Sequence, residues 1–137
     1  MGYYGLFPSP GSNLACVKRI MTFLFENLEV YKQAVGFCSK VFEICKTIGD
    51  PEVKNQIKRA SLSIPLNIAE GNGRNTAKEK AQFFKTARGS LFECVPIIKI
   101  CRNTQMITKE NYESLYSAAE GIGKMLNGLI NSLKDHI

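Results

Sequence analysis

The chain has 137 residues, enough for one domain around a single packed core. Its 45% hydrophobic content excludes a disordered chain, and the absence of any run of about 18 apolar residues excludes a membrane-spanning helix. Eighteen basic residues against twelve acidic ones leave a net charge of +6, compatible with a nucleic-acid partner or an anionic surface but weak evidence for either.

Residues 1–22 carry Gly, Pro, Ser and Asn without a period and read as a poorly ordered arm. Leu14-Ala15-Cys16 has the look of a lipoprotein cleavage site, but the apolar stretch and basic start of a signal peptide are missing. Leu6 stands where a myristoylation signal has Ser or Thr. Met21 offers an alternative start, and a cytoplasmic location is expected.

The first helix is expected over about Asn27–Ile48, with Asn27 as N-cap and Glu29 at the positive end of the dipole. Tyr31, Cys38 and Cys45 recur every seven residues, and Ala34, Val41 and Ile48 repeat three residues later, which makes an apolar seam. Gly49 suits a left-handed helix end, Asp50 a cap and Pro51 the first helical position. The second helix runs to about Glu70 on a stripe of Val53, Ile57, Ala60, Ile64 and Ile68. Pro65 lies inside it and predicts a bend by releasing the Ser61 carbonyl.

Thr76 and Glu79 form a capping-box pair that opens a third helix to about Asn103. Phe83, Ala87, Leu91, Cys94, Ile98 and Cys101 mark its buried face, and Pro96 predicts a second bend. The fourth helix starts near Thr108 and extends toward Lys134. Its stripe is Tyr112, Leu115, Ala119, Ile122, Met125, Leu126, Leu129 and Leu133. Gly121 and Gly128 share one face, which suits either tolerated surface positions or close approach of a neighbouring helix. Nothing reads as a strand. The fold expected is all-α, an antiparallel up-down-up-down four-helix bundle over residues 23–137.

No catalytic constellation appears. A lone His136 near the end leaves Ser or Cys without a base. Gly71-Asn72-Gly73-Arg74 follows a helix and lacks the Gly-Lys-Ser/Thr of a phosphate-binding loop. The five cysteines include no C-x-x-C. Cys38 and Cys45, like Cys94 and Cys101, are seven apart, about 10 Å along a helix and too far for an intrahelical disulfide. They read as small core residues in a reducing cytosol. The chain is expected to be no enzyme and to carry no metal or cofactor.

Charge is more informative. From Lys54 to Arg102 there are ten basic residues and three acidic ones, so this stretch alone exceeds the surplus of the whole chain. On a wheel of the third helix Lys78, Lys85, Arg88, Lys99 and Arg102 fall within about 120° of one another, with Glu79 and Glu93 on the other flank. With Lys54, Lys58, Arg59 and Arg74 they are the candidate contacts to a phosphate backbone. The competing reading is a solvated helix side or ion pairs to another subunit.

Phe25-Glu26-Asn27-Leu28-Glu29-Val30-Tyr31-Lys32, Ser63-Ile64-Pro65-Leu66-Asn67-Ile68-Ala69-Glu70-Gly71-Asn72-Gly73-Arg74, Ala87-Arg88-Gly89-Ser90-Leu91-Phe92-Glu93 and Gly123-Lys124-Met125-Leu126-Asn127-Gly128-Leu129-Ile130 stand in order along the chain. In these stretches, across about residues 23–135, the chain resembles the bacterial four helix bundle protein family, also called ribosomal-RNA intervening-sequence proteins. The resemblance implies a bundle assembling as a ring-like homopentamer. It also implies kinship with the accessory variability proteins of diversity-generating retroelements, which bind a reverse transcriptase and nucleic acid. The chain departs from the family pattern at Cys94-Val95-Pro96.

Within the central stretch Ser63, Asn67, Glu70, Arg74 and Glu93 are expected to form a polar clasp fixing the bend and the following turn, or else a binding site. Glu70 and Arg74 would pair with each other or with Arg88 and Glu93. Finally, the first helix carries Val35, Phe42 and Ile44 beyond its seam, preceded by Phe23, Leu24 and Phe25, and the fourth carries Tyr116, Ile130 and Ile137. Such excess apolar surface predicts contacts between copies of the chain. The number five rests on the resemblance alone. The function expected is a non-enzymatic homo-oligomeric scaffold for RNA or DNA. The alternative is a protein adaptor, for example for a polymerase. No membrane partner is expected.

Overall fold

The computed structural model describes residues 23–137, and the expectations placed on residues 1–22 lie outside it. Four helices account for most of that span: α1 Glu29–Cys45, α2 Pro51–Asn72, α3 Ala77–Asn103 and α4 Lys109–Leu133. Short 3-10 turns, Leu24–Asn27 and Lys134–His136, flank them, and no strand occurs among the described residues. No helix among the described residues is long and apolar enough to cross a membrane.

Local chemistry sets the helix starts. The Asp50 carboxylate accepts from the Glu52 and Val53 N–H groups at 3.0 Å each, with Pro51 just inside. Thr76 Oγ1 accepts from the Glu79 N–H at 3.2 Å, and Thr108 Oγ1 from the Asn111 N–H at 3.1 Å. The first helix differs from expectation. Asn27 belongs to the 3-10 turn, and the N-cap position falls to Leu28, which has no capping side chain. α1 also stops at Cys45, three residues early, and Gly49 is not left-handed. Lys46, Thr47 and Ile48 turn instead through bonds to the Glu43, Ile44 and Cys45 carbonyls, so no glycine conformation is required. Both interior prolines lie within continuous helical segments.

Each helix packs against its sequence neighbours, α1 also packs against α4, and the backbones of the diagonal pairs stay apart. Directions follow from named contacts. Ser61 Oγ reaches Cys38 Sγ at 3.7 Å while Lys58 covers Phe42, so α2 runs back along α1. Ser90 bonds Ser63 and Phe84 crowds Gly71, Arg88 bonds Asn127 and Lys99 covers Tyr112, and Lys40 bonds Ser114. Val30 lies beside Leu129 at the other end of the α1–α4 pair, so in every neighbouring pair the numbers rise on one helix as they fall on the other. The result is an antiparallel four-helix bundle.

The core is one contiguous cluster that includes Ala34, Val41, Ile64, Ile68, Leu91, Cys94, Ile98, Ile122 and Leu126. Each large aliphatic buried here contributes about 1.5–3 kcal/mol. Phe84, rather than the expected Phe83, fills the α3 position and is 3% exposed. Ser61 and Ser90 are buried as well. Ile44 and Ile130 also belong to this core, so they are not surplus surface. Gly121 and Gly128 face open space, so no helix approaches them within the chain. The close approach falls at Gly71, where an added Cβ would lie 2.9 Å from Phe83 Cβ and from Phe84 Cε1.

Candidate nucleic-acid interface

The ring order of the helices decides where the candidate cations point. α1–α2 and α3–α4 are opposite seams of the bundle. Lys54 and Lys58 lie half-buried on the first of these: Lys58 Nζ sits 5.3 Å from the centre of the Phe42 ring, and both charges act on Cys45. Arg59 is exposed, the next residue along α2. Arg74 stands in the α2–α3 turn, paired with Glu70 and with its guanidinium 4.6 Å from the Phe83 ring centre. Lys78 and Lys85 are exposed on α3.

Arg88, Lys99 and Arg102 turn toward α4. Arg88 Nη1 donates to Asn127 Oδ1 at 2.9 Å, and Lys99 Nζ lies 5.3 Å from the Tyr112 ring centre. Of the nine candidate cations, Lys54 and Lys58 thus lie on the α1–α2 seam, Arg74 in the α2–α3 turn, and Arg88, Lys99 and Arg102 on the α3–α4 seam. A single wheel fixes a flank but does not say which neighbour covers it.

The α3–α4 seam carries more cations than the third helix alone supplies. At its α3–α4 turn end is a cup of about 450 Å³ lined by Lys99, Arg102, Asn103, Gln105, Lys109, Tyr112 and Glu113. Three cations meet one carboxylate there, with Lys109 Nζ 4.0 Å from Glu113. Farther along, an apolar groove of about 460 Å³ runs beside Phe92, Val95, Pro96, Tyr116 and Gly123, with Lys124 and Glu120 at its rim. The rings of Tyr112 and Tyr116 stand 5.8 Å apart, one in each hollow. Lys109, Lys124 and both tyrosines were missed from sequence. Lys109 had left a signal: a cation at the first position of a helix opposes the dipole and asks for another reason to be there.

The polar residues of the central stretch separate into two groups. Asn67 Nδ2 donates to the Ser63 carbonyl at 2.8 Å and to Ser63 Oγ at 2.9 Å, and Ser90 Oγ on α3 donates to Ser63 Oγ at 2.8 Å. This network ties α2 to α3 beside Pro65. Glu70 and Arg74 form their own pair past it, while Glu93 is exposed and enters neither group among the described residues. Ser61 Oγ bonds the Lys58 carbonyl. Lys80 Nζ caps the end of α2 through the Asn72 carbonyl at 2.9 Å.

No site for covalent or metal chemistry emerges among the described residues. No cluster of three His, Cys, Asp or Glu could hold a metal ion. Burial, with a smaller contribution from Glu93, pushes the Cys94 thiol up to about 12. Burial raises Cys38, Cys45 and Cys101 as well, which keeps all four thiols protonated rather than nucleophilic.

No curated protein matches the chain. Among solved structures it is similar to a protein of unknown function from the S23 ribosomal protein family of Bacteroides thetaiotaomicron VPI-5482. The TM-score is 0.69 at 23% identity, covering 74% of this chain and 97% of that one, which establishes a shared fold. The family model of the 23S rRNA-intervening sequence protein matches residues 26–128, through all four helices, and the chain belongs to that family.

Proposed function

We propose that this protein is a non-enzymatic, self-assembling scaffold that binds RNA or DNA along its α3–α4 seam. The observation that carries the reading is the convergence of Arg88, Lys99 and Arg102 with Lys109 and Lys124 from the facing helix. Cations from two rigid helices hold a fixed spacing, which suits a repeating phosphate backbone better than scattered surface lysines do. Assembly into a ring, with five members as the resemblance suggests, would repeat this seam and let weak contacts act together.

Assembly draws on exposed apolar residues outside the α3–α4 groove: Val35 and Phe42 on α1, Leu62 and Leu66 on α2, and Ile100 on α3. The same residues favour a second reading, a protein adaptor for a partner such as a polymerase. Labelled RNA titrated at several salt concentrations separates the two. Binding at low salt should weaken steeply and log-linearly as salt rises. Absence of binding at low salt overturns the nucleic-acid reading. Light scattering at micromolar concentration should give a multiple of 15.3 kDa, and a clean monomer overturns the scaffold.

A further inference from the structure

We infer that the α3–α4 seam takes single-stranded rather than duplex nucleic acid, stacking bases on Tyr112 and Tyr116 while Lys99, Arg102 and Lys109 hold the phosphates. The inference rests on the nucleic-acid reading above and deepens it. A duplex hides its base faces and offers a protein only phosphates and groove edges. A surface made for duplex therefore needs cations and no aromatic rings. This seam has both, arranged in sequence along its length.

The cationic cup is about 450 Å³, within the range of about 300–1,000 Å³ that accommodates small organic groups such as a nucleotide. Tyr112 forms part of its wall, with Lys99 resting over the ring. A cation over an aromatic face occupies the place a base would take, and Lys99 can swing aside to a phosphate on its flexible stem. The Asn103 and Gln105 amides at the same rim carry both donors and acceptors, the groups that read an unpaired base edge.

One turn farther along α4, Tyr116 continues the ladder at 5.8 Å into the apolar groove, where Phe92 is 59% exposed. Apolar walls suit the faces of bases and reject phosphates. Gly123 lines that groove without a side chain, beside Leu91. Gln105 adds a further mark. It is the single non-glycine residue with positive φ among the described residues, at 62°, in a position where glycine is preferred, and its side chain lines the cup.

The test is fluorescence anisotropy of the full chain with a labelled single strand of about ten nucleotides and with a duplex of the same sequence. The single strand should bind at least about fivefold tighter. Tyr112→Leu should weaken the single strand by about fivefold or more and leave duplex binding unchanged. Tyr112→Phe keeps the ring and should stay near the parent affinity, which separates lost stacking from lost folding. Lys99→Gln and Arg102→Gln should each lower the salt slope by about 0.7 on the single strand. Equal binding of strand and duplex, or an unchanged single-strand affinity in Tyr112→Leu, overturns the stacking site while leaving the seam reading intact. Absence of binding to either overturns both. Competition by an acidic peptide as strong as that by the single strand would make the seam a protein-docking surface and overturn the inference.

Discussion

Single residues carry constraints that a helical period does not reveal. Gly71 sits where α2 ends against the start of α3, and the nearest atom to an added methyl is Phe83 Cβ, fixed to its backbone. Overpacking of that kind costs about 1–3 kcal/mol, against about 1 kcal/mol gained by replacing glycine in a helix. Gly71→Ala should therefore destabilise the bundle by up to about 2 kcal/mol in urea denaturation. Gly121→Ala, with open space around it, should be neutral or stabilising by up to about 1 kcal/mol. Equal effects at the two positions would refute the close approach at Gly71. Sequence pointed instead to Gly121 and Gly128, because their spacing of seven is visible in the chain, whereas proximity to Phe84 depends on the turn geometry between two helices. The choice of Phe83 over Phe84 failed for the same reason. Both fit a stripe that drifts around a long helix, and only the angle at which α3 leaves the turn decides between them.

At the level of elements, starts were more legible than stops. Asp50, Thr76 and Thr108 cap through side chains written in the sequence, but α1 ends through ordinary residues. The end of α3 is a Schellman turn: the Met106 N–H bonds the Cys101 carbonyl at 2.8 Å and the Gln105 N–H bonds Arg102 at 3.2 Å. The left-handed position belongs to Gln105, where a Cβ costs about 1–2 kcal/mol. Gln105→Gly should raise stability by about 1 kcal/mol, read as a shift of the denaturation midpoint without change in slope. Gln105→Ala should bring no such gain. A stability gain in the alanine variant would show that the side chain, not the backbone, carries the strain. The four amphipathic faces and their caps are local properties, so they could be read. The division of the cations between opposite seams could not, since it depends on which helix lies beside which.

The whole molecule inherits a pH dependence from its buried thiols. A thiol ordinarily near 9.0 and pushed to about 12 binds its proton more tightly in the folded state, as Cys94 does. Between those values the unfolded chain holds fewer protons, so stability is intact below pH 9.0 and falls as pH rises toward 12. For Cys94 the slope approaches about 1.4 kcal/mol per pH unit midway between the two values. Urea denaturation at about pH 8 and about pH 10.5 should show this loss, and Cys94→Ala should flatten it. An unchanged slope in that variant would locate the alkaline sensitivity elsewhere.

Antiparallel order has an electrical consequence as well. Each helix end carries about half a charge, positive at the start and negative at the finish. Where α3 finishes, α4 starts, so those partial charges lie side by side and largely cancel. The carbonyl end of α3 thus offsets the field that Lys109 meets at the first position of its own helix. With the helix ends compensated in pairs, the potential along the α3–α4 seam is written mainly by side chains. Each cation there can be neutralised singly, and the change in binding read against a nearly silent backbone.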